Sequence, residues 1–479
     1  MRKIIGVILA IVIAVEFTGC ENAQSGKTAD QEIQSNTGQT ESNDVPTEKN
    51  KINLTFTKKE SGENYCSNEK GFYYIDTHGD EFTLKDGTLA YHIMYVDFAT
   101  KKEVYLCSNS GCKHETDSCT SVISNKDGTE PILFLHNETL YLLRKDDDME
   151  GTSSINKIFE DEKSAEEEQS SSQILYKMKL DGTGRTKIYE FEKGIIVEDQ
   201  ILQDDFGLYF VTKKLKTIKG DKNITYNTVS EKKLIKIDDD TEKKEVVCDL
   251  NIGDEKSVWS IVGCFDSTLV MEGYIADHQL SEEERIRDME DKEFSRELAL
   301  KSKTEFDTVD METGEVKKVC SFSNKNFNNG YTIVDNCLYY MMDGKKKIHK
   351  MNLDTGEKGV LTEFSESGIS FYKSFDGMLC CDNWGQESKD YFYFVDLNNG
   401  KISKSGLTTK TLGWPIEFRG ETKDKVLVVY DYVASKTETD DDSYEISQNK
   451  LALIDKEDLY NGIGNFVPID MIGSGGAID

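Results

Sequence analysis

One short pattern, repeated, constrains this chain more than any other feature. Residues 349–364 alternate along two short runs that meet at Asp354-Thr355-Gly356, and such a stretch reads as strand, tight turn, strand. Variants recur at Ile93–Asp97 with Glu103–Leu106, at Leu175–Asp181, and at Leu234–Asp238. Further copies follow at Phe306–Asp310, Phe392–Asp396 and Leu451–Asp455. Asp310, Asp354 and Asp396 stand roughly 43 residues apart, the length of one four-stranded propeller blade. Each copy is preceded by a second hairpin with an aromatic-rich strand, as in Gly71–Ile75, Thr139–Leu143, Gly207–Val211 and Cys337–Met341. Seven hairpin pairs predict an all-β fold, a β-propeller of seven four-stranded blades. Six or eight blades stay compatible, because the end copies are degenerate and closure can mix strands from both ends.

The longer gaps in the repeat are insertions. Lys145–Ser172, Lys213–Lys232, Ala276–Lys303 and Lys436–Gln448 all fall between the second and third strands of their blades. In an antiparallel blade those loops share one face with the blade-to-blade connections, and the aspartate turns occupy the other. A single decorated face is the clue to where a partner binds, since loops carry function, although tolerated insertions also accumulate wherever loops are exposed. One insertion should be helical. Ser281 and Glu284 match a capping box, and the run to Lys301 carries Ile286, Met289, Phe294 and Leu298 as a thin apolar stripe for packing onto its own propeller.

The start of the chain reads differently. Arg2 and Lys3 precede an apolar run, Ile4 to Val15, too short to span a bilayer, then Phe17-Thr18-Gly19-Cys20. Residues 1–19 therefore read as an export signal resembling a lipoprotein lipobox, with Cys20 the lipidated residue; an ordinary secretory signal with a chance cysteine is the alternative. Residues 20–50 are polar and read as a disordered tether, leaving 51–479 for the propeller. This order predicts a lipid-anchored protein at the extracellular face of the cell membrane. A net charge of −31 disfavours nucleic acid as a partner and suits a solvated surface.

The chain has eleven cysteines, and three of them share one segment with a histidine. Cys107, Cys112, His114 and Cys119 form a C-x4-C-x-H-x4-C arrangement in a polar stretch. Three thiols and an imidazole satisfy a tetrahedral structural zinc, two of the thiols suffice for a disulfide, and free thiols are the third reading. A catalytic metal does not fit, because four protein ligands leave no open position. Cys248, Cys264, Cys320 and Cys337 read as small buried residues rather than disulfides, since their strands lie at opposite edges of neighbouring blades. Cys380 and Cys381 are adjacent and point to opposite faces of one strand.

No catalytic signature stands out: there is no G-x-S-x-G, H-E-x-x-H or phosphate-binding G-x-x-x-x-G-K-[ST]. The carboxylates are too many to nominate a pair. At Cys107–Cys119 the chain resembles uncharacterised propeller-type surface lipoproteins of anaerobic Gram-positive bacteria, whose first blade ends in a similar Leu-Cys…Cys-x-His…Cys segment. Their repeats are similar to TolB-type and YWTD-type propeller hairpins. The resemblance implies the propeller and the cell-surface location and brings no established activity. The expectation is a binding or scaffold module for a peptide, glycan or protein partner, with a polysaccharide-acting hydrolase or lyase and a solute-binding transporter component as alternatives.

Overall fold

The computed structural model describes residues 52–472, apart from 60–63, 77–81, 125–130, 146–171, 220–224, 252–256, 282, 285–286, 289–290, 328–329, 343–345, 376, 384–390 and 437–443. The signal, Cys20 and the tether lie outside the described residues, as do most of the 145–172 insertion and part of 436–448.

Seven antiparallel sheets follow one another along the chain. Blade 4 is typical: Ser257–Phe265, Thr268–Ile275, Lys303–Asp310 and Val316–Ser323 pair in order. The central strands are buried on both faces, as in Cys337–Met341, whereas outer strands such as Thr186–Glu190 are largely exposed. That gradient explains the aromatic-rich second strands of the repeat. A residue wedged between two blades needs volume in both directions, and burying each such side chain contributes about 1.5–3 kcal/mol.

The apolar clusters lie between blades. Tyr209 and Leu202 of blade 3 meet Trp259 and Leu269 of blade 4, and Tyr339 of blade 5 meets Tyr393 of blade 6. Four outer strands help fill these layers through a shared irregularity. Pairing of the third with the fourth strand skips Ile188, Val247, Val319 and Leu361 in blades 2 to 5, and each skipped residue packs against an interblade cluster. A bulge adds twist and turns an apolar side chain inward from an otherwise polar edge. Cys380 packs toward blade 7 while Cys381 packs toward blade 5, as alternation on a strand requires. Cys248, Cys264, Cys320 and Cys337 are free thiols, buried or half-buried.

Three features depart from the sequence expectation. First, closure does not mix strands from the two ends. Thr55–Lys58 runs inside the ring as a fifth, innermost strand of blade 3, paired with Ile195–Asp204, while blade 7 is built entirely from C-terminal residues. The ring closes by packing Phe72 and Val96 of blade 1 against Leu427, Val429 and Leu453 of blade 7. The C-terminal stretch then reaches over to blade 1: Glu103 N–H donates to the Asp470 carbonyl at 2.9 Å, and Ile472 N–H donates to the buried Glu103 carboxylate at 2.7 Å.

Second, the turn residue of blade 5 is Asn352, not Asp354. Its Oδ1 accepts from the N–H groups of Asp354 and Thr355, as Asp310 accepts from Glu312 and Thr313 in blade 4. Asn and Asp cap such turns equally well, so counting aspartates selects the wrong member of the pair. Third, the regular helix of the 276–303 insertion spans Lys292–Lys301, begins at an Asp291 cap, and buries none of its residues. The Ser281–Glu284 capping box does form, with both reciprocal backbone bonds.

The Lys213–Lys232 insertion is an extension of its hairpin, Gly207–Lys219 paired with Thr225–Asp238. Among the described residues no helix is long and apolar enough to cross a membrane.

Candidate functional site

Two places concentrate chemistry. The first is the segment between the two parts of the outer edge of blade 1. Lys102–Tyr105 pairs with the C-terminal half of Leu89–Asp97, and Val122–Ser124 pairs with its N-terminal half. The polar segment between them leaves and returns at one residue: Leu106 N–H donates to the Ile93 carbonyl at 2.9 Å, and Ile93 N–H donates to the Ser121 carbonyl at 2.7 Å. The sequence separation of Cys107 from Cys119 is thus folded into a closed loop. The structure brings all four predicted residues together: the ligand atoms of Cys107, Cys112, His114 and Cys119 lie within 4.8 Å of one another.

His114 is held from three sides. Its carbonyl accepts from His92 Nε2 at 2.8 Å, its ring stacks on Tyr105 at 4.3 Å, and its Nδ1 faces Cys119 Sγ at 3.2 Å. Burial, with the positive field of His92, lowers its pKa below the usual histidine value, so it is neutral near pH 7. The thiols are split in the opposite sense. Burial works to raise Cys107, but the Asn109 N–H and bonds from Cys119, Thr120 and Cys112 outweigh it and hold Cys107 low. Burial dominates at Cys119 and raises it, against the bond it shares with Ser121 Oγ at 3.1 Å. No disulfide links any of them.

The second place is the central channel, a cavity of about 1020 Å³ lined by the inner strands of all seven blades and by Thr55–Lys58 of the added strand. Its lining is mixed: amides (Asn68, Gln200), hydroxyls (Thr332, Ser374) and aromatic rings, with Tyr372 partly open between Phe392 and Phe418. Charged side chains enter it as well: Lys59, Lys373 and Arg419 of one sign, Glu138, Glu272 and Glu421 of the other. Burial raises the Glu272 carboxyl above the ordinary range, opposed by the Tyr331 hydroxyl that donates to it at 2.7 Å. His136 is buried beside the channel with both ring nitrogens engaged, Nδ1 on Gln203 at 2.8 Å and Nε2 on Asp239 at 2.7 Å. Burial opposes its charging, yet its bonds to Asp239 and Gln203 raise its pKa overall and favour the charged ring where it ties blade 2 to blade 3.

The cavity reaches Asn68, Asn137 and Glu138, which sit in the first-to-second strand turns. These turns are on the face opposite the insertions, whereas Tyr65, Tyr331 and Phe371, at the starts of their inner strands, line the end of the cavity nearer the decorated face. Sequence reasoning did not name the lining. It is contributed a few residues at a time by separated strands, with no local signal.

No protein-family model and no curated protein matches the chain. Among solved structures, the chain is similar to an oligogalacturonate lyase in complex with manganese, at 14% identity and TM-score 0.37, covering 64% of this chain and 73% of that one. It is similar to an uncharacterized protein of Listeria monocytogenes at 9% identity and TM-score 0.34, covering 70% and 80%. The acylaminoacyl peptidase of Pyrococcus horikoshii matches at 12% identity and TM-score 0.38, covering 80% of this chain and 51% of the peptidase. Likeness at this level carries nothing about activity.

Proposed function

We propose that this chain is a lipid-anchored propeller of the outer cell surface that binds a polar oligomer, a glycan or peptide segment, in its central channel. The observation that carries the reading is the channel lining, which sets amides, hydroxyls and charged groups of both signs beside aromatic rings around about 1020 Å³. That volume suits a few sugar rings or residues. Aromatic faces cover the apolar side of such a ligand while amides and hydroxyls exchange hydrogen bonds with its polar edge. The anchor is supported by the residues before and including Cys20.

The test is a screen of the chain against glycan and peptide arrays, followed by titration of the best binder against Tyr372→Ala. Loss of a packed aromatic platform should weaken binding by about tenfold. Binding unchanged in Tyr372→Ala and in Gln200→Ala would remove the channel from the account.

A second reading, an enzyme acting on polysaccharide, is favoured by one observation. Glu272 is a channel carboxyl whose burial favours the protonated form, the property a general acid needs. Turnover of an oligosaccharide that is abolished in Glu272→Gln, with binding retained, would select this reading over simple binding.

A further inference from the structure

We infer that Cys107, Cys112, His114 and Cys119 bind one zinc ion, which gives the blade 1 loop its shape and fastens the split outer edge of that blade. A tetrahedral zinc with thiolate bonds of about 2.3 Å places its sulfurs about 3.8 Å apart. The four ligand atoms here already lie within 4.8 Å of one another, so assembly needs shifts of about an ångström at most. A disulfide would instead draw two sulfurs to about 2 Å and leave the third thiol and the imidazole without a role. Three soft thiolates and an imidazole select zinc over hard cations such as magnesium or manganese.

The surroundings fit the ion as well as the ligands do. His114 presents Nδ1 to the cluster from a backbone at φ 56, a left-handed conformation that histidine tolerates better than most non-glycine residues, held by Tyr105 and His92. Ser121 Oγ meets Cys119 Sγ at 3.1 Å, the kind of outer bond that orients a ligand thiolate. Zinc with three thiolates carries one net negative charge. The guanidinium of Arg185, from blade 2, is placed to offset it: it donates to the carbonyls of Thr120 and Val122 and lies within electrostatic reach of Cys119.

Leu84, Ala90 and Val122 pack with Cys119, and Cys107 and Cys112 lie against them half-buried. Between Cys107 and Thr120 only Cys119 is buried, so the loop has no apolar core of its own. Metal binding then supplies the folding free energy that such a loop lacks. With four protein ligands the role is structural.

The experiment is elemental analysis and thiol counting on the full chain, purified with zinc present, beside Cys112→Ser and His114→Ala. About one zinc per chain is expected, reduced at least tenfold in Cys112→Ser with the far-ultraviolet circular dichroism retained. Cobalt substitution should give the visible spectrum of a tetrahedral thiolate site, and that spectrum should change in His114→Ala. Should Cys112→Ser not fold, His114→Cys keeps a four-ligand site and should retain zinc with a shifted cobalt spectrum. A metal-free protein, whether with every thiol free or with two missing to a disulfide, overturns the inference. So does zinc that survives Cys112→Ser, or a cobalt spectrum indifferent to both His114 variants.

Discussion

Glu103 is where the ring is predicted to be most sensitive to a single substitution. It is 5% exposed, on the outer strand of blade 1, and its carboxylate accepts from the Tyr74 hydroxyl within its own blade and from Ile472 N–H of the C-terminal stretch. Hydrogen bonds to a charged group contribute about 1.5–3 kcal/mol each. Two of them give about 3–6 kcal/mol, and because Tyr74 is half-buried and Ile472 exposed, so that both regain water when freed, the lower end applies, about 3 kcal/mol. Glu103→Ala should therefore raise local opening of the blade 1 and blade 7 junction by roughly two orders of magnitude. Glu103→Gln keeps the shape and one acceptor, and should sit between the two at about 1–2 kcal/mol. Native-state hydrogen exchange reads this directly at the amides of Glu103 and Asp470, which pair across the junction. Protection unchanged within about 0.5 kcal/mol in Glu103→Ala would refute the reasoning. Closure would then rest mainly on the apolar cluster around Phe72, Val96, Leu427, Val429 and Leu453.

Gly182 has φ +78, and a Cβ there would stand 2.7 Å from the Leu106 carbonyl, so Gly182→Ala should destabilise by about 1–3 kcal/mol in a urea titration and weaken zinc binding through Leu106. His136 has a raised pKa in the fold, so its stabilising contribution is full below the unfolded value and fades as pH rises through the folded one. The stability gap between the parent and His136→Ala should accordingly narrow as pH rises above the unfolded histidine value of about 6.5 in urea titrations, and a constant or widening gap would contradict the raised pKa. Arg185→Met should lower zinc affinity by about 10–100-fold in a chelator competition while the four ligands remain, and an unchanged affinity would remove its role in balancing the charge.

What could be read in the sequence was what is local. A hairpin writes its turn and its alternation into a dozen consecutive residues, so the blades and the sites of insertion were visible. So was the Cys107–Cys119 cluster, because all four ligands fall in one short loop. The innermost strand was not visible, because Thr55–Lys58 pairs with Gln203, Leu202 and Ile201 across more than a hundred residues with no turn to announce it. Neither was the return of the chain at Val122–Ser124 to the strand it had left, since three residues carry too little periodicity. The second helix start at Asp291 was not singled out, although the capping box at Ser281 forms as read and Glu283, Glu284, Arg287 and Asp288 are helical ahead of it. The channel assembles single residues from many strands, so it exists only once the ring closes.

The central claim is that the partner enters the channel rather than docking on the decorated face. Hydrogen exchange of the full chain with and without the best-binding oligomer from the arrays separates the two. The account predicts added protection on the inner strands Ser370–Phe375 and Glu417–Glu421, which line the cavity. Protection confined to the insertion side, at Lys292–Lys301 and the ends of Gly207–Lys219 and Thr225–Asp238, would contradict it.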